Sequence, residues 1–261
     1  MPFVQIHDTA LHFESIRVDK STEDIILIFL HEALGSIPQW RGFPQALCSA
    51  LEMDGLTYER QGHGQSGHFS KQRDHRYLHH YAWHEFPAFL DTVLSSDQKV
   101  ILIGHSDGGS IALLYGAKYP KRVKAIITIA AHVINEPETI AGIGPAVNAF
   151  KAGKLEKLRS FHGEKTDALF YAWANTWSSD DFANWDITHE ISTITAPVLA
   201  IQGTNDQYGT SKQLELIQSA LKGYCETKLI PDCGHHPHLE QKTEVIRLIR
   251  QFTLSNLCAE H

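Results

Sequence analysis

Short apolar runs alternate with longer segments of helical spacing along most of this chain. Residues 25–30, 100–103, 123–130 and 197–202 are nearly unbroken apolar runs, the pattern of strands buried on both faces. Residues 3–6 and 11–18 alternate apolar and polar positions about an Asp8-Thr9 turn and predict an antiparallel hairpin. Shorter strands are expected at 56–58 and 227–230. Helical spacing marks 38–51, with Pro38 near its start, and 77–94, where Pro87 should introduce a kink. It also marks the residues after Gly109, then 211–221 and 243–254. This alternation implies an α/β fold: a mostly parallel central sheet with helices on both faces. From 132 to 191 the rhythm breaks. No strand is predicted there, and helical candidates occupy 137–151, 155–161, 166–177 and 180–185. The expected organisation is a core of residues 1–131 and 192–261 carrying a helical insertion, 132–191.

The run at 100–103 leads into Gly104-His-Ser106-Asp-Gly108-Gly109 and then a helical pattern. A strand, a tight turn with a central serine and a helix form the context of a nucleophile elbow. Such a serine sits on a strained turn with its hydroxyl exposed, so its neighbours two positions away must lack side chains. The helix behind it points free N–H groups at the site, where negative charge would develop during acyl transfer.

A serine hydroxyl is a weak nucleophile at neutral pH and needs a base, itself oriented by a carboxylate. In a parallel sheet such groups lie in loops at the strand C-termini. One loop after 197–202 carries Asp206, and one after 227–230 carries His235, His236 and His238. Ser106, Asp206 and His235 therefore follow one another as nucleophile, acid and base. Asp232 and Glu136 are rival acids, because each follows a predicted strand. His236 and His238 are rival bases, with His235 favoured by the glycine before it. The histidine run offers no fixed metal geometry, and no metal or other cofactor is expected.

Composition narrows the classes of partner. The formal net charge of −7 argues against general affinity for nucleic acid or an anionic membrane. No run approaches membrane-spanning length, and the first ten residues lack the apolar core of a signal peptide. Cys48, Cys225, Cys233 and Cys258 form no C-x-x-C motif, so free thiols and a cytoplasmic location are expected. The expected partner is a small-molecule substrate; a homodimer is left open. His79, His80 and His84 read as a solvated helix surface.

Taken together, residues 104–109, the Tyr58–Ser66 loop, Asp206 and Gly234-His235 resemble the α/β-hydrolase fold in its lidded form. That form includes meta-cleavage-product hydrolases, enol-lactonases and non-haem haloperoxidases. The resemblance covers essentially the whole chain. It implies a Ser106-Asp206-His235 triad, an oxyanion hole from the N–H groups of Ala33 and Asp107, and a lid formed by the insertion. The implied activity is carboxylesterase-like cleavage (EC 3.1.1) of a small ester, lactone or thioester. The alternatives are C–C hydrolysis of the meta-cleavage type and ligand binding on the same scaffold. Trp173, Trp177, Tyr208 and His236 are the candidate substrate contacts. Two residues depart from the family pattern: Glu32 stands where glycine is usual, and Asp107 where an apolar or amide residue is usual. Glu32 is expected to point away from the oxyanion site, toward Arg41 or Arg60. Lys151, Lys154, Lys157, Arg159 and Lys165 read as a solvated helix face, leaving Arg41 and Arg60 as candidate anchors for an anionic substrate.

Overall fold

A computed structural model describes residues 2–19, 25–69 and 73–257. Cys258 lies outside the described residues, while Cys48, Cys225 and Cys233 are free thiols. The strands, in chain order, are β1 (Phe3–Ile6), β2 (Thr9–Ile16), β3 (Ile25–Leu30), β4 (Gly55–Tyr58), β5 (Lys99–His105), β6 (Val123–Ile129), β7 (Val198–Gly203) and β8 (Cys225–Ile230). They form one eight-stranded sheet in the order β1-β2-β4-β3-β5-β6-β7-β8. Only β1–β2 and β2–β4 pair antiparallel; all other pairings are parallel.

The apolar runs are explained by this burial on both faces. Along β3 and β5, Ile26, Ile28, Leu30, Val100 and Leu102 enter one core, while Leu27, Phe29, Ile101 and Ile103 enter the other. The second core is covered by α1 (Phe43–Leu51) and, at the far end of the chain, by Val245, Ile249 and Phe252. The first is covered by α2 (Tyr77–His80), α3 (Phe86–Val93) and α4 (Asp107–Lys118).

Two helices differ from their sequence readings. Residues 38–51 divide into a 3-10 turn, Ile37–Trp40, and α1, because Arg41 and Gly42 both adopt left-handed φ values (47° and 72°) between them. Residues 77–94 contain a π-helical turn, Tyr81–Glu85, between α2 and α3. The extra residue per turn falls just before Phe86-Pro87, where a proline removes a backbone donor.

Between β6 and β7 lie α5 (Pro137–Lys151), α6 (Arg159–His162), α7 (Thr166–Trp177) and α8 (Thr188–Ile191). The bridge Ile134–Asp186 is the one extended pairing among the described residues of this segment. After β7 and β8 come α9 (Lys212–Ala220), α10 (Pro237–Glu240) and α11 (Lys242–Leu257). No helix of the described residues is long and apolar enough to cross a membrane.

Candidate active site

Five loops at the strand C-termini, those after β3, β5, β6, β7 and β8, converge beneath α5 and α7. Ser106, the residue between β5 and α4, has φ 52° and ψ −120°, a conformation costly for a residue with a Cβ. The flanking glycines make it attainable. A Cβ on Gly104 would lie 2.2 Å from the Gly108 carbonyl oxygen, and one on Gly108 would lie 1.9 Å from that of Leu30. The turn is pinned by Ser106 N–H donating to Ile129 O (2.8 Å) and by Gly109 N–H donating to Ser106 O (2.8 Å). The Ser106 hydroxyl makes no hydrogen bond among the described residues and lines a cavity of about 280 Å³.

His235 and His236 line that cavity too, and Asp206 lies behind His235. His235 Nδ1 lies 2.9 Å from Asp206 Oδ1 and 2.8 Å from Oδ2, so this nitrogen is the donor and Nε2 is left toward the cavity. Asp206 also accepts from Tyr208 N–H (2.8 Å) and Gln202 Nε2 (2.6 Å). Burial works against its charge, but attraction to His235 and these donors hold its carboxyl below the usual range. The rival acids are engaged elsewhere. Glu136 accepts from Thr210 and Gln213, while Asp232 is exposed. His238 is buried against Trp40, Phe43 and His105.

Ala33 and Asp107 line the same cavity beside Ser106. The Asp107 carboxylate accepts from Tyr77 Oη (2.7 Å), which accepts from Trp177 Nε1 (2.7 Å). This chain joins α4, α2 and α7 below the cavity. Burial pushes the Asp107 carboxyl above the usual range, against the pull of Arg60 and Arg73. Trp173, Trp177 and Phe170 form an apolar wall that Tyr208 continues, its ring edge-on to Trp173 at 6.0 Å and to His235 at 4.9 Å between centroids.

Glu32 is a correction to the sequence reading. It lines the cavity, and its Oε2 accepts from Leu34 N–H at 2.6 Å. Arg60 does not pair with it; the guanidinium donates instead to the carbonyl oxygens of His31 and Glu32. Burial raises the Glu32 carboxyl pKa, opposed by the Leu34 N–H and by His235. Arg60 is therefore fully buried and committed to backbone, which removes it as an anchor for a substrate anion. Arg41 is exposed and lies outside this cavity. Lys165 is a second correction: it is buried, and its Nζ donates to the carbonyl oxygens of Gly64 (2.7 Å) and Ser66, tying the helical segment to the Tyr58–Ser66 loop. His80 and His84 are exposed as read, whereas His79 is half-buried beside Glu190.

Of the wall residues that escaped the sequence reading, Gln39, Thr139 and Ala146 among them, one is titratable. His132, three residues past the end of β6, is buried between Trp177 and His235, with its Nδ1 unpartnered. Burial, then the nearby His235, pushes its pKa down to about 4, so the ring is neutral. Its place at a strand C-terminus was the available signal.

A larger cavity, about 560 Å³, lies beyond Tyr77 and Tyr81 and holds neither Ser106 nor His235.

The chain matches the family model described as "Alpha/beta hydrolase family" over residues 27–248. It is 22% identical to a proline iminopeptidase of Saccharolobus solfataricus, across 96% of this chain and 91% of that protein. It is 25% identical to "Alpha/beta hydrolase domain-containing protein VTE7" of Arabidopsis thaliana, across 60% of this chain. The match spans about half of that relative, 54% of its length. Among solved structures, the enol-lactonase from Burkholderia xenovorans LB400 superposes with a TM-score of 0.73 at 17% identity, covering 96% of this chain and 99% of that one. At that identity the likeness is one of fold.

Proposed function

The chain belongs to the alpha/beta hydrolase family, and from that premise we propose that it is a serine hydrolase cleaving a small ester, lactone or thioester through an acyl-enzyme on Ser106. The observation carrying this reading is the His235–Asp206 contact of 2.8 Å beside a serine held at positive φ in the same cavity. In this reading Ser106 Oγ attacks the acyl carbon while His235 Nε2 takes its proton. Asp206 fixes the tautomer and stabilises the imidazolium. The N–H groups of Ala33 and Asp107 receive the oxyanion. His235 then protonates the leaving alcohol or thiol, and water, activated by the same nitrogen, releases the acid. The helical segment 132–191 acts as a lid over the core formed by 1–131 and 192–261, with Trp173, Trp177, Tyr208 and His236 as substrate contacts.

Charge within the cavity bears on substrate. Glu32 and Asp107 line it, and no lysine or arginine does among the described residues. A carboxylate on the acyl part would sit unpaired there, at a cost, which disfavours the C–C hydrolase reading. The same carboxyls favour a second reading, release of an N-terminal residue whose amine they would complement, in keeping with the proline iminopeptidase relative.

A fluorophosphonate probe tests the first premise: it should label Ser106 rapidly, and label nothing in Ser106→Ala. An unlabelled native protein would favour a ligand-binding role on this scaffold. Turnover of p-nitrophenyl butyrate beside proline p-nitroanilide separates the two substrates. A hundredfold preference for the anilide would replace the ester reading.

A further inference from the structure

A third cavity, of about 480 Å³, adjoins the Ser106 cavity, and the two share Glu32, Gln39, Leu155, Leu158 and His236 as walls. Their charges differ. The Ser106 cavity holds two carboxyls and, among the described residues, no cation. The adjoining cavity is lined by Arg41, Lys154 and Lys157, all exposed. Their charged ends make no hydrogen bond or ion pair with any described residue. Two carboxylates also face it, Glu32 and Glu240. Both are already occupied by backbone donors: Leu34 N–H for Glu32, and Gly234 and His236 N–H for Glu240. Glu156, between the two lysines, is drawn to Arg159 Nε at 2.9 Å. The four histidines of the wall add no charge, since burial holds His31, His105 and His238 well below their ordinary pKa and pushes His236 down to about 4.

The direction of the chemistry assigns the two compartments. A general acid must reach the atom that departs, so the leaving group lies on the side of the histidine loop. His235 lines the Ser106 cavity, His236 lines both, and His238 and Leu239, further along the same loop, line the cationic cavity, so this loop marks the boundary across which a departing group would pass. Phe170, Trp173 and Asp107 line the other, where the acyl part is retained.

We propose that the cationic cavity is the leaving-group compartment and that it takes a thiol or alcohol bearing a phosphate. This rests on the serine-hydrolase reading above. Three unpaired cations suit a dianion better than a single carboxylate: the Arg41 fork matches phosphate oxygens, and the lysines add point charge. The substrate is then electrically asymmetric, with a neutral or cationic acyl part and an anionic departing part.

Protection of Ser106 tests the assignment whatever the acyl group. Labelling by a fluorophosphonate probe is timed in the presence of 4′-phosphopantetheine or pantetheine, and of glycerol 3-phosphate or glycerol. Each rate is compared with that of the same variant without protectant. The phosphorylated member of at least one pair should halve labelling at a concentration about tenfold lower than its neutral partner. The difference should shrink as salt rises from about 50 to 200 mM. The pair that shows it tells a thiol from an alcohol. Lys154→Glu/Lys157→Glu should abolish the difference, and Arg41→Ala, an independent exposed change, should reduce it. Equal protection within both pairs, or a difference that survives the double charge reversal, overturns the proposal while leaving the serine-hydrolase reading intact. Failure of the probe to label native Ser106 overturns that reading itself.

Discussion

The two walls of the Ser106 cavity are built in different ways. On the sheet side, the polar framework is fixed by hydrogen bonds to backbone or buried side chains: Ser106 N–H to Ile129, Asp206 to three donors, His235 to Asp206; the Ser106 hydroxyl and His132 Nδ1 stand without a partner among the described residues. On the helical side, the wall is ring against ring. Phe170 meets Trp173 at 5.6 Å, and Trp177 meets Phe182 at 4.7 Å and Trp185 at 5.6 Å between centroids. One wall sets direction, atom by atom; the other sets volume and excludes water. Substitutions on the first should therefore cost rate with little cost in stability, and those on the second the reverse.

The largest effect should come from the sheet wall. Ser106→Ala is expected to lower kcat by about 10⁶-fold, as nucleophile loss does in a related chemistry, with thermal unfolding unchanged. Turnover by a purified variant within tenfold of the parent would break the comparison at its root. Asp206→Asn should lower kcat by about 10⁴-fold, because an amide can hold His235 in the wrong tautomer. His236→Ala, one residue from the base, should cost less than about tenfold in kcat. If His236→Ala is as damaging as His235→Ala, direction is not set by Asp206 alone.

The helical wall should answer in stability. Trp177→Ala is expected to cost about 3–5 kcal/mol in chemical denaturation, since it empties a fully buried site and strips Tyr77 of its donor. Tyr77→Phe should cost about 1–3 kcal/mol, leaving Asp107 Oδ2 and Trp177 Nε1 without their shared partner.

A pH measurement separates both walls from the scaffold behind them. Burial raises the Glu85 carboxyl to about 7, although it accepts from Gln61 N–H. Its folded pKa lies above its unfolded one, so its contribution is present below about pH 4 and is lost as pH rises toward 7. Between pH 5 and 8 the native protein should lose up to about 3 kcal/mol on this account. Glu85→Gln should flatten that slope; an unchanged slope would assign it to other groups.

What could be read in the sequence follows the same division. The strands of the core were legible because both faces are buried, so Ile25–Leu30 and Val198–Gly203 needed no partner to be recognised. Asp206 and His235 could be nominated because a parallel sheet sends its loop residues to one edge. The contacts of long side chains were not legible. Lys165 carries the spacing of a solvated face, yet it crosses to the loop at Gly64 and Ser66. Glu32 turns its carboxylate back on the backbone at Leu34, while Arg60, although beside it, donates to the backbone carbonyl oxygens of His31 and Glu32. The π-helical turn at Tyr81–Glu85 leaves no periodic signature beyond a proline.

His105, the residue before Ser106, is buried and its Nε2 donates to the His235 carbonyl oxygen at 2.8 Å. That bond ties β5, which leads into Ser106, to the loop carrying His235, so the proposed nucleophile and base sit on one braced unit whose bond draws no member from residues 132–191. The consequence is modularity. A helical segment of different length or sequence can be grafted between β6 and β7 without touching the brace. Exchanging the volume above Ser106 would keep that bond while changing what reaches Asp107 through Trp177 and Tyr77.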